Sequence, residues 1–551
     1  MKNPILFAAI AFLLLSCVKQ EKEPAEGAID SLAYVEPYLG LSFTQSKRDS
    51  LREGLRETVS DIRKIHAYSL ENSTPPAISF NPIPVGFQIN QLQLPINWRL
   101  PSDVKFPVNE NELAFYTVAE LSVLIRTGQI SSEDLTLFFL GRLKQYGDTL
   151  QCVVTLTEEL ALEQAKRADA ELANGKYRGP LHGIPYGIKD LLAVEGYNTT
   201  WGATPYKNQQ IDGTAAVVKK LEEEGAVLVA KLTLGALAMG DIWYGGVTKN
   251  PWDLKQGSSG SSAGSAAATA AGLVPFAIGS ETWGSIISPS TRCGTTGLRP
   301  TFGRVSRTGA MALSWTMDKL GPICRSAKDC ALVFEVIRGS DGIDQSVIDA
   351  AFNFNAATPA HQLKVGYLKT LFEQQYPNSA NDSISLAVFR DMGLQLHEVE
   401  LPEDIPVNAL SIILAAEAAA AFDELTRSGR DSLLVNQKKS AWPNYFRTAR
   451  FISAVDYINA NRIRYELIQK MNEVLKEYDA IIAPSFGGNQ LLMTNLTGHP
   501  CVVFPNGFNA EGKPASISII GNLFDEAKLL QLAEAYQAAT GVDEMHPEMF
   551  K

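Results

Sequence analysis

The sequence predicts an α/β fold, in which helices cover both faces of a β-sheet. After residue 112, segments with helical spacing of apolar residues alternate with short apolar strands, an order typical of such folds. The chain has 551 residues, of which 45% are hydrophobic and 20% charged, so it can bury a large core. Its net charge of −11 argues against a nucleic-acid partner, because phosphate binding requires a basic surface.

Capping residues mark the first helices of the alternating region. Thr117 precedes the helical segment VAELSVLIRTG, which ends at Gly128, and residues 131–134 open a second helix. The next predicted elements are helices over 160–173, 214–224, from residue 233 and over 266–271, and strands at IPYGI (184–188), AVLVAK (226–231) and LVPFAI (273–278). Toward the C-terminus we expect helices over 413–425, 454–478 and 526–540, and the strands AIIAP and CVVFP.

The first residues are typical of a bacterial secretory signal. Lys2 precedes an apolar run from Ile5 to Leu15, which is too short to span a bilayer. Leu14-Leu15-Ser16-Cys17 then resembles a lipobox, which predicts cleavage after residue 16 and a diacylglycerol on the Cys17 thiol. We therefore expect a lipid-anchored protein of the cell envelope, periplasmic or at the outer membrane. An ordinary signal followed by an incidental cysteine is the alternative.

Residues 17–110 are predicted to be a tether and an N-terminal extension of the main domain, 111–551. Residues 46–68 have helical spacing of apolar side chains, and a proline-rich, extended stretch follows. We expect this helix and strap to pack on the main domain; an independent binding module is the alternative.

The remaining cysteines do not predict a disulfide scaffold, because they are five in number and widely spaced. Cys324 and Cys330 are close enough in sequence to pair, although buried free thiols fit better. The chain has no CxxC pair and no HExxH motif, so we expect no metal site.

Lys189 follows the predicted strand IPYGI. A buried lysine loses charge stabilisation, so its pKa falls and it can act as a neutral base. A lysine at the surface, or one paired with the neighbouring Asp190, is the structural alternative.

Two glycine- and serine-rich tracts offer hydroxyls and unencumbered backbone N–H groups. The first, GSSGSSAGS, also contains a GxSxG pattern centred on Ser262, but the nucleophile elbow requires a strand before it and WDLKQGSS does not predict one. A flexible linker and a phosphate-binding loop are further alternatives. The second tract, GSETWGS, forms the turn after LVPFAI and ends at Ser285. There the backbone N–H groups of Thr282, Trp283, Gly284 and Ser285 could converge as an oxyanion hole.

These segments together resemble the amidase signature family. The resemblance rests on GPLHGIPYGIKD, on the tract that runs into SAAATAAG, and on GSETWGSIISPSTRCGTTGLRPTFGRVS, and it extends from about residue 116 to the C-terminus. It implies a large mixed central β-sheet covered by helices, with an N-terminal helical extension. It also implies a catalytic triad of Lys189 as base, Ser285 as nucleophile and Ser261, after a cis peptide bond, as the bridging serine. Counting back from SAAATAAG favours Ser261 over Ser258.

The sequence departs from the family pattern in the second tract. Trp283 stands where a glycine is usual, and Ile287 stands where many relatives carry arginine. If the backbone at 283 requires a positive φ, tryptophan there would cost about 1 kcal/mol or more; otherwise its ring shapes the pocket. At 287 an ionic network within the protein or a contact to a carboxylate would be missing.

The resemblance predicts an enzyme that hydrolyses a small-molecule carboxylic amide to an acid and ammonia or an amine, without a cofactor. One alternative is the amidase subunit of a glutamine-dependent tRNA amidotransferase, against which the lipobox and the acidic charge argue. The other is a non-catalytic envelope lipoprotein that binds ligands, against which the intact triad argues.

Overall fold

The computed structural model describes residues 32–67 and 70–551. Cys17, the predicted lipidation site, and the predicted signal peptide lie outside these residues. The chain forms two compact units, one up to Leu70 and one from Glu71 to Lys551. The predicted boundary between residues 110 and 111 stays a prediction.

The first unit is helical. It contains α1 (Leu32–Val35) and α2 (Gln45–Ala67), and α2 covers the helix predicted over 46–68. Glu36 follows α1 in the chain. Its carboxylate accepts hydrogen bonds at 2.8 Å from both Nε and a terminal nitrogen of Arg48, which lies on α2.

The second unit is built on an eleven-stranded sheet with two small hairpins beside it. The strands are β1 (Val153–Leu156), β2 (Pro185–Lys189), β3 (Val227–Leu232), β4 (Ile242–Trp243), β5 (Gly246–Val247), β6 (Lys249–Asn250), β7 (Asp253–Gly257), β8 (Phe276–Glu281), β9 (Thr296–Arg299), β10 (Lys319–Cys324), β11 (Val365–Leu368), β12 (Leu396–Val399), β13 (Ala480–Pro484), β14 (Cys501–Phe508) and β15 (Pro514–Ile520). Their order in the large sheet is β1-β3-β2-β8-β10-β9-β14-β15-β13-β11-β12. The sheet is mixed, as predicted: β2 pairs with β3 and β8 in parallel, and β8 pairs with β10 antiparallel.

The helices of this unit are α3 (Val118–Arg126), α4 (Ser132–Leu150), α5 (Glu158–Ala173), α6 (Ala216–Glu223), α7 (Ala263–Ala270), α8 (Ile287–Cys293), α9 (Ala327–Ile337), α10 (Lys369–Phe372), α11 (Ser379–Asp391), α12 (Ile412–Ala421), α13 (Asp423–Arg427), α14 (Trp442–Ala449), α15 (Ala454–Leu475), α16 (Gln490–Thr497) and α17 (Glu526–Thr540). Thr117 caps α3 in a capping box with Glu120. Within the described ranges, no helix is both long and apolar enough to cross a membrane.

Both faces of the central sheet are buried, which the alternation along β8 demonstrates. Phe276 and Ile278 pack into one apolar cluster, whereas Ala277, which points to the opposite face, packs into another. This two-sided burial explains why the central strands have continuous apolar sequences rather than an alternating pattern.

Two local predictions were wrong. The helix expected from residue 233 is a loop, because Leu237 and Ala238 adopt left-handed backbone angles (φ +51° and +64°) that interrupt any helix. The segment WDLKQG does contain a strand, β7, but this strand belongs to a small hairpin with β6 and not to the central sheet. Five cysteines, all buried, are free thiols: Cys152, Cys293, Cys324, Cys330 and Cys501.

Candidate active site

Lys189 is the last residue of β2, in the middle of the central sheet. Its side chain is fully buried. The β2 register with β3 and β8 directs it toward the two glycine- and serine-rich tracts, which follow β7 and β8. The end of β2 therefore places the Lys189 amine in the interior of the protein.

Three serine hydroxyls surround the Lys189 ammonium nitrogen. The Nζ atom lies 2.8 Å from Ser261 Oγ, 2.8 Å from Ser280 Oγ and 3.1 Å from Ser262 Oγ. Each of the three serines is at least nine-tenths buried. The lysine thus has hydroxyl partners and no carboxylate among its hydrogen-bond partners in the described chain.

Burial lowers the pKa of Lys189 to about 7, although the Asp318 and Glu281 carboxylates raise it in part. The neighbouring Asp190 is not its partner: Asp190 Oδ1 lies 3.0 Å from Lys231 Nζ, in a pair that is itself buried. The alternative of a lysine neutralised by Asp190 is therefore wrong, and Lys189 can lose its proton near neutral pH.

Ser261 follows a cis peptide bond, Gly260–Ser261, where the resemblance implies one. Glycine at 260 is required by space, because a Cβ there would lie 1.9 Å from the Gly240 carbonyl oxygen. The other serine considered for this position, Ser258, donates its hydroxyl hydrogen to the Ser259 carbonyl at 2.9 Å. The structure thus places Ser261, and not Ser258, against the lysine.

The hydrogen bonds of Ser262 limit which hydroxyl group can donate to Lys189 Nζ. The Ser262 hydroxyl donates to the Ser280 carbonyl at 3.1 Å, so it can only accept from Lys189. If Ser280 Oγ takes the second N–H of a neutral lysine, the lone pair of Nζ remains for the hydroxyl hydrogen of Ser261. The same geometry argues against the elbow nucleophile considered at Ser262, because its hydroxyl donates within the protein and the residue is buried.

The Glu281 carboxylate binds the backbone that follows the second tract. Its Oε2 accepts the backbone N–H groups of Ile286 and Ile287 at 2.9 and 3.0 Å, and its Oε1 accepts from Arg299 at 2.9 Å and Asn495 at 2.8 Å. Burial acts to raise the pKa of this carboxyl, but Arg299 and Asn495 together keep the pKa below its ordinary value. A permanent carboxylate therefore fixes the backbone on one side of the turn.

The four preceding N–H groups of the turn, at residues 282–285, have no acceptor in the part of the chain that the structure describes. Gly284 adopts a positive φ of +85°, which bends the backbone within this group. On the other side, the Thr282 hydroxyl donates to Asp318 at 2.5 Å. Contacts at both ends therefore hold the turn, within which Thr282 and Gly284 are buried.

Ser285 closes the turn and lies beside the first tract. Its carbonyl oxygen accepts the N–H of Ser262 at 3.1 Å, and the residue is partly exposed. The structure therefore brings the Ser285 backbone next to the Ser261–Ser262 pair, and both serines of that pair hydrogen-bond Lys189.

The two departures from the family pattern have different outcomes. Trp283 is not among the residues with positive φ, so the tryptophan causes no left-handed strain; instead it is 44% exposed beside Ser285. Ile287 is fully buried in an apolar cluster with Met317 and Leu492. No charged side chain therefore extends from position 287 toward the site.

Several supporting residues were not predicted from sequence. Ser280 and Glu281 lie inside a motif used for the resemblance, but nothing in the sequence spacing indicated which groups they and Asp318 bind. Arg299 and Asn495 reach Glu281 from β9 and α16, far away in the chain. In the described residues, no group of three or more His, Cys, Asp or Glu side chains could hold a metal ion.

Comparison with known proteins gives a consistent result. The sequence model of the Amidase family matches residues 134–493. The chain is 33% identical to the A subunit of the glutamyl-tRNA(Gln) amidotransferase of Coxiella burnetii over 481 residues, which cover 79% of this chain and 99% of that protein. The corresponding subunit of Moorella thermoacetica is 32% identical over 485 residues, covering 80% and 99%.

Among solved structures, the peptide amidase of Stenotrophomonas maltophilia is similar with a TM-score of 0.70 and 26% identity, covering 78% of this chain and 98% of that chain. A bacterial aryl acylamidase of the amidase signature enzymes has the same fold, with a TM-score of 0.69 and 22% identity over 79% of this chain and 99% of that chain.

Proposed function

The chain belongs to the amidase family and is an amide-hydrolysing enzyme, and from this premise we propose that it works through a seryl acyl-enzyme formed on Ser285. Ser261 is the bridging serine and Lys189 the base. The observation that carries the proposal is the 2.8 Å contact between Lys189 Nζ and Ser261 Oγ in a buried site where, among the described residues, every hydrogen-bond partner of Nζ is a serine.

The proposed reaction begins with proton transfer. Neutral Lys189 takes the hydroxyl proton of Ser261, which in turn takes that of Ser285. Ser285 Oγ attacks the amide carbonyl carbon, and the tetrahedral oxyanion is stabilised by open N–H groups of the turn at residues 282–285. The proton returns to the leaving nitrogen as the C–N bond breaks. Water then attacks the acyl-enzyme by the same relay, releasing the acid and free Ser285.

Two settings for this chemistry remain as candidates. The names of the Coxiella and Moorella relatives favour a component of a glutamyl-tRNA(Gln) amidotransferase. The predicted lipidated N-terminus and the acidic charge favour a stand-alone hydrolase. The exposed Trp283 and the buried Ile287 also favour an uncharged amide over glutamine, whose carboxylate and ammonium need polar partners.

A substrate panel tests the proposal and separates the two settings. The chain from Val18 onward is incubated with primary amides, acyl anilides, peptide amides and glutamine, without any partner protein. We expect turnover of at least one uncharged amide in preference to glutamine. Turnover of glutamine alone would favour the amidotransferase setting, and no turnover of any amide would contradict the proposal.

Ser280 is expected to position Lys189. Because its hydroxyl is 2.8 Å from Nζ and can stabilise the ammonium more strongly than the amine, Ser280→Ala should lower the pKa of Lys189 further and free the side chain to rotate. We expect kcat to fall by about 10- to 100-fold with KM nearly unchanged, and the acid limb of the pH profile to move to lower pH. Ser280→Thr, which keeps the hydroxyl, should restore both. A Ser280→Ala enzyme with an unchanged limb would contradict this role.

We also propose that Cys17 carries a lipid that anchors the protein in the cell envelope. The support is the sequence around Leu14 to Cys17. Radiolabelled palmitate should label the protein in a bacterial host, and Cys17→Ala should abolish the label. Labelling that survives the substitution would exclude this anchor.

A further inference from the structure

One stretch of the second unit carries many exposed apolar and basic side chains. Twenty large hydrophobic side chains are exposed in this unit; six lie within residues 78–108 and seven within residues 433–465. We call this region the 433–465 surface; its exposed apolar residues are Leu433, Val435, Tyr445, Phe451, Val455, Ile458 and Tyr465. This concentration in one short stretch differs from the scattered single residues that are normal on a protein surface.

The apolar residues of α15 form one stripe. Val455, Ile458, Arg462 and Tyr465 are three or four residues apart, so they lie on the same side of the helix. The exposed fractions of Val455, Ile458 and Tyr465 are 67%, 57% and 54%. The opposite side of α15 is buried through Leu467 and other residues. The stripe is thus the outer face of a helix whose inner face already has its partners.

Further exposed aromatic residues precede α15 in the chain. Phe451, 59% exposed, lies in the connection between α14 and α15, and Tyr445 is exposed on α14. Both helices contact α12, and Trp442 and Phe446 are buried on α14. Two helices that share α12 as a neighbour therefore both carry exposed apolar groups.

The charge of this region is opposite to that of the whole chain. Residues 423–462, which include the carboxylates that pair with the arginines, contain seven arginines and lysines and four aspartates and glutamates, a net charge of +3 in a protein of −11. Four of the arginines are paired: Arg427 and Arg450 with Asp423, Arg430 with Glu424 and Arg447 with Asp431. Lys438 and Lys439 are exposed side by side in the loop before α14.

We propose that the 433–465 surface docks on an anionic phospholipid bilayer. Aromatic and aliphatic side chains interspersed with lysine and arginine suit the headgroup boundary, where the rings and methyl groups enter the apolar layer and the cations meet phosphate. A second copy of the chain suits the surface less well, because a two-fold interface would place a region of net charge +3 against itself. The docking depends neither on Cys17 nor on the chemistry at Ser285.

Vesicle co-sedimentation tests the proposal with the chain from Val18 onward, which keeps every residue that the structure describes. The probes are phosphatidylcholine vesicles with and without phosphatidylglycerol, at low and high salt. We expect binding to the anionic vesicles and a loss of binding at high salt, because screening weakens the attraction of the cations. No binding to the anionic vesicles would overturn the proposal.

Matched variants assign the binding to this surface. The triple variant Phe451→Ser, Val455→Ser, Ile458→Ser should weaken partition onto anionic vesicles by at least about tenfold. The control Ile343→Ser, Ile384→Ser removes comparably exposed apolar groups elsewhere (68% and 61% exposed) and should bind like the parent. Equal binding of the triple variant and the control would overturn the proposal.

Further variants test the role of the lysines in vesicle binding and the alternative that the surface binds a second copy of the chain. Lys438→Glu, Lys439→Glu should weaken binding to anionic vesicles about as much as high salt does, whereas Lys219→Glu on α6 should not. Thermal unfolding and hydrolysis of a soluble amide verify that each variant is folded. If the triple variant instead converts a dimer into a monomer in sedimentation and leaves vesicle binding intact, the surface is a protein interface and the proposal fails.

Discussion

Ser285→Ala should abolish amide hydrolysis, lowering kcat/KM by about 10⁴-fold or more. The proposed route needs an oxygen nucleophile at this position, and the serines nearest to it are already engaged: Ser262 donates to the Ser280 carbonyl, and Ser261 is required for the relay. Activity toward the best substrate of the panel is the measurement.

Ser288→Ala is the matched control for this change. Ser288 lies one turn further along α8, and its hydroxyl hydrogen-bonds Ser259 at 2.7 Å, outside the proposed relay. We expect it to retain most of the activity. Equal activity of Ser285→Ala and the parent enzyme would exclude Ser285 as the nucleophile.

The pH dependence of kcat/KM should follow the protonation state of Lys189. Its pKa of about 7 means that the base is protonated and inactive at lower pH, so kcat/KM should rise about tenfold per unit below pH 7 and level off above it. Lys189→Met should lower activity by about 10³-fold or more, and the rise of kcat/KM below pH 7 should disappear. A flat profile between pH 6 and 9 would argue against Lys189 as the base.

The same lysine should cost folding stability. In the unfolded chain its pKa is close to 10.5, so the unfolded state binds the proton more tightly than the folded state, and stability should rise as pH increases from 7 to 10.5. The shift corresponds to roughly 4 kcal/mol at neutral pH. Lys189→Met should therefore raise the free energy of unfolding at pH 7, measured in urea, and the gain should shrink at pH 10.

The fold was predictable where a single segment determines its own structure. The cap at Thr117 and the helix over 526–540 required only local sequence, and both occur at the expected positions. The loop after β3 was not predictable, because its path depends on the contact of Gly235 and Gly260 with Gly240. An apolar segment alone does not reveal such a contact.

The resemblance to the amidase signature motifs predicted one part of the site. It indicated Lys189, Ser261 and the turn that ends at Ser285, and the structure brings these segments together. It did not indicate that Ser280 and Ser262 would share the lysine, nor that Arg299 and Asn495 would hold Glu281. Those contacts join strands and helices that meet only through the sheet order, which no local pattern encodes.

Trp283 would give this enzyme an optical reporter at the proposed active site. Of the seven tryptophans, it is the one whose side chain is exposed; Trp98, Trp201, Trp243, Trp252, Trp315 and Trp442 are half-buried or buried. Iodide should therefore quench its emission selectively. An acyl group on Ser285, two residues away, should shield the indole, so that the loss and recovery of quenching would follow formation and hydrolysis of the intermediate in real time without a chromogenic substrate.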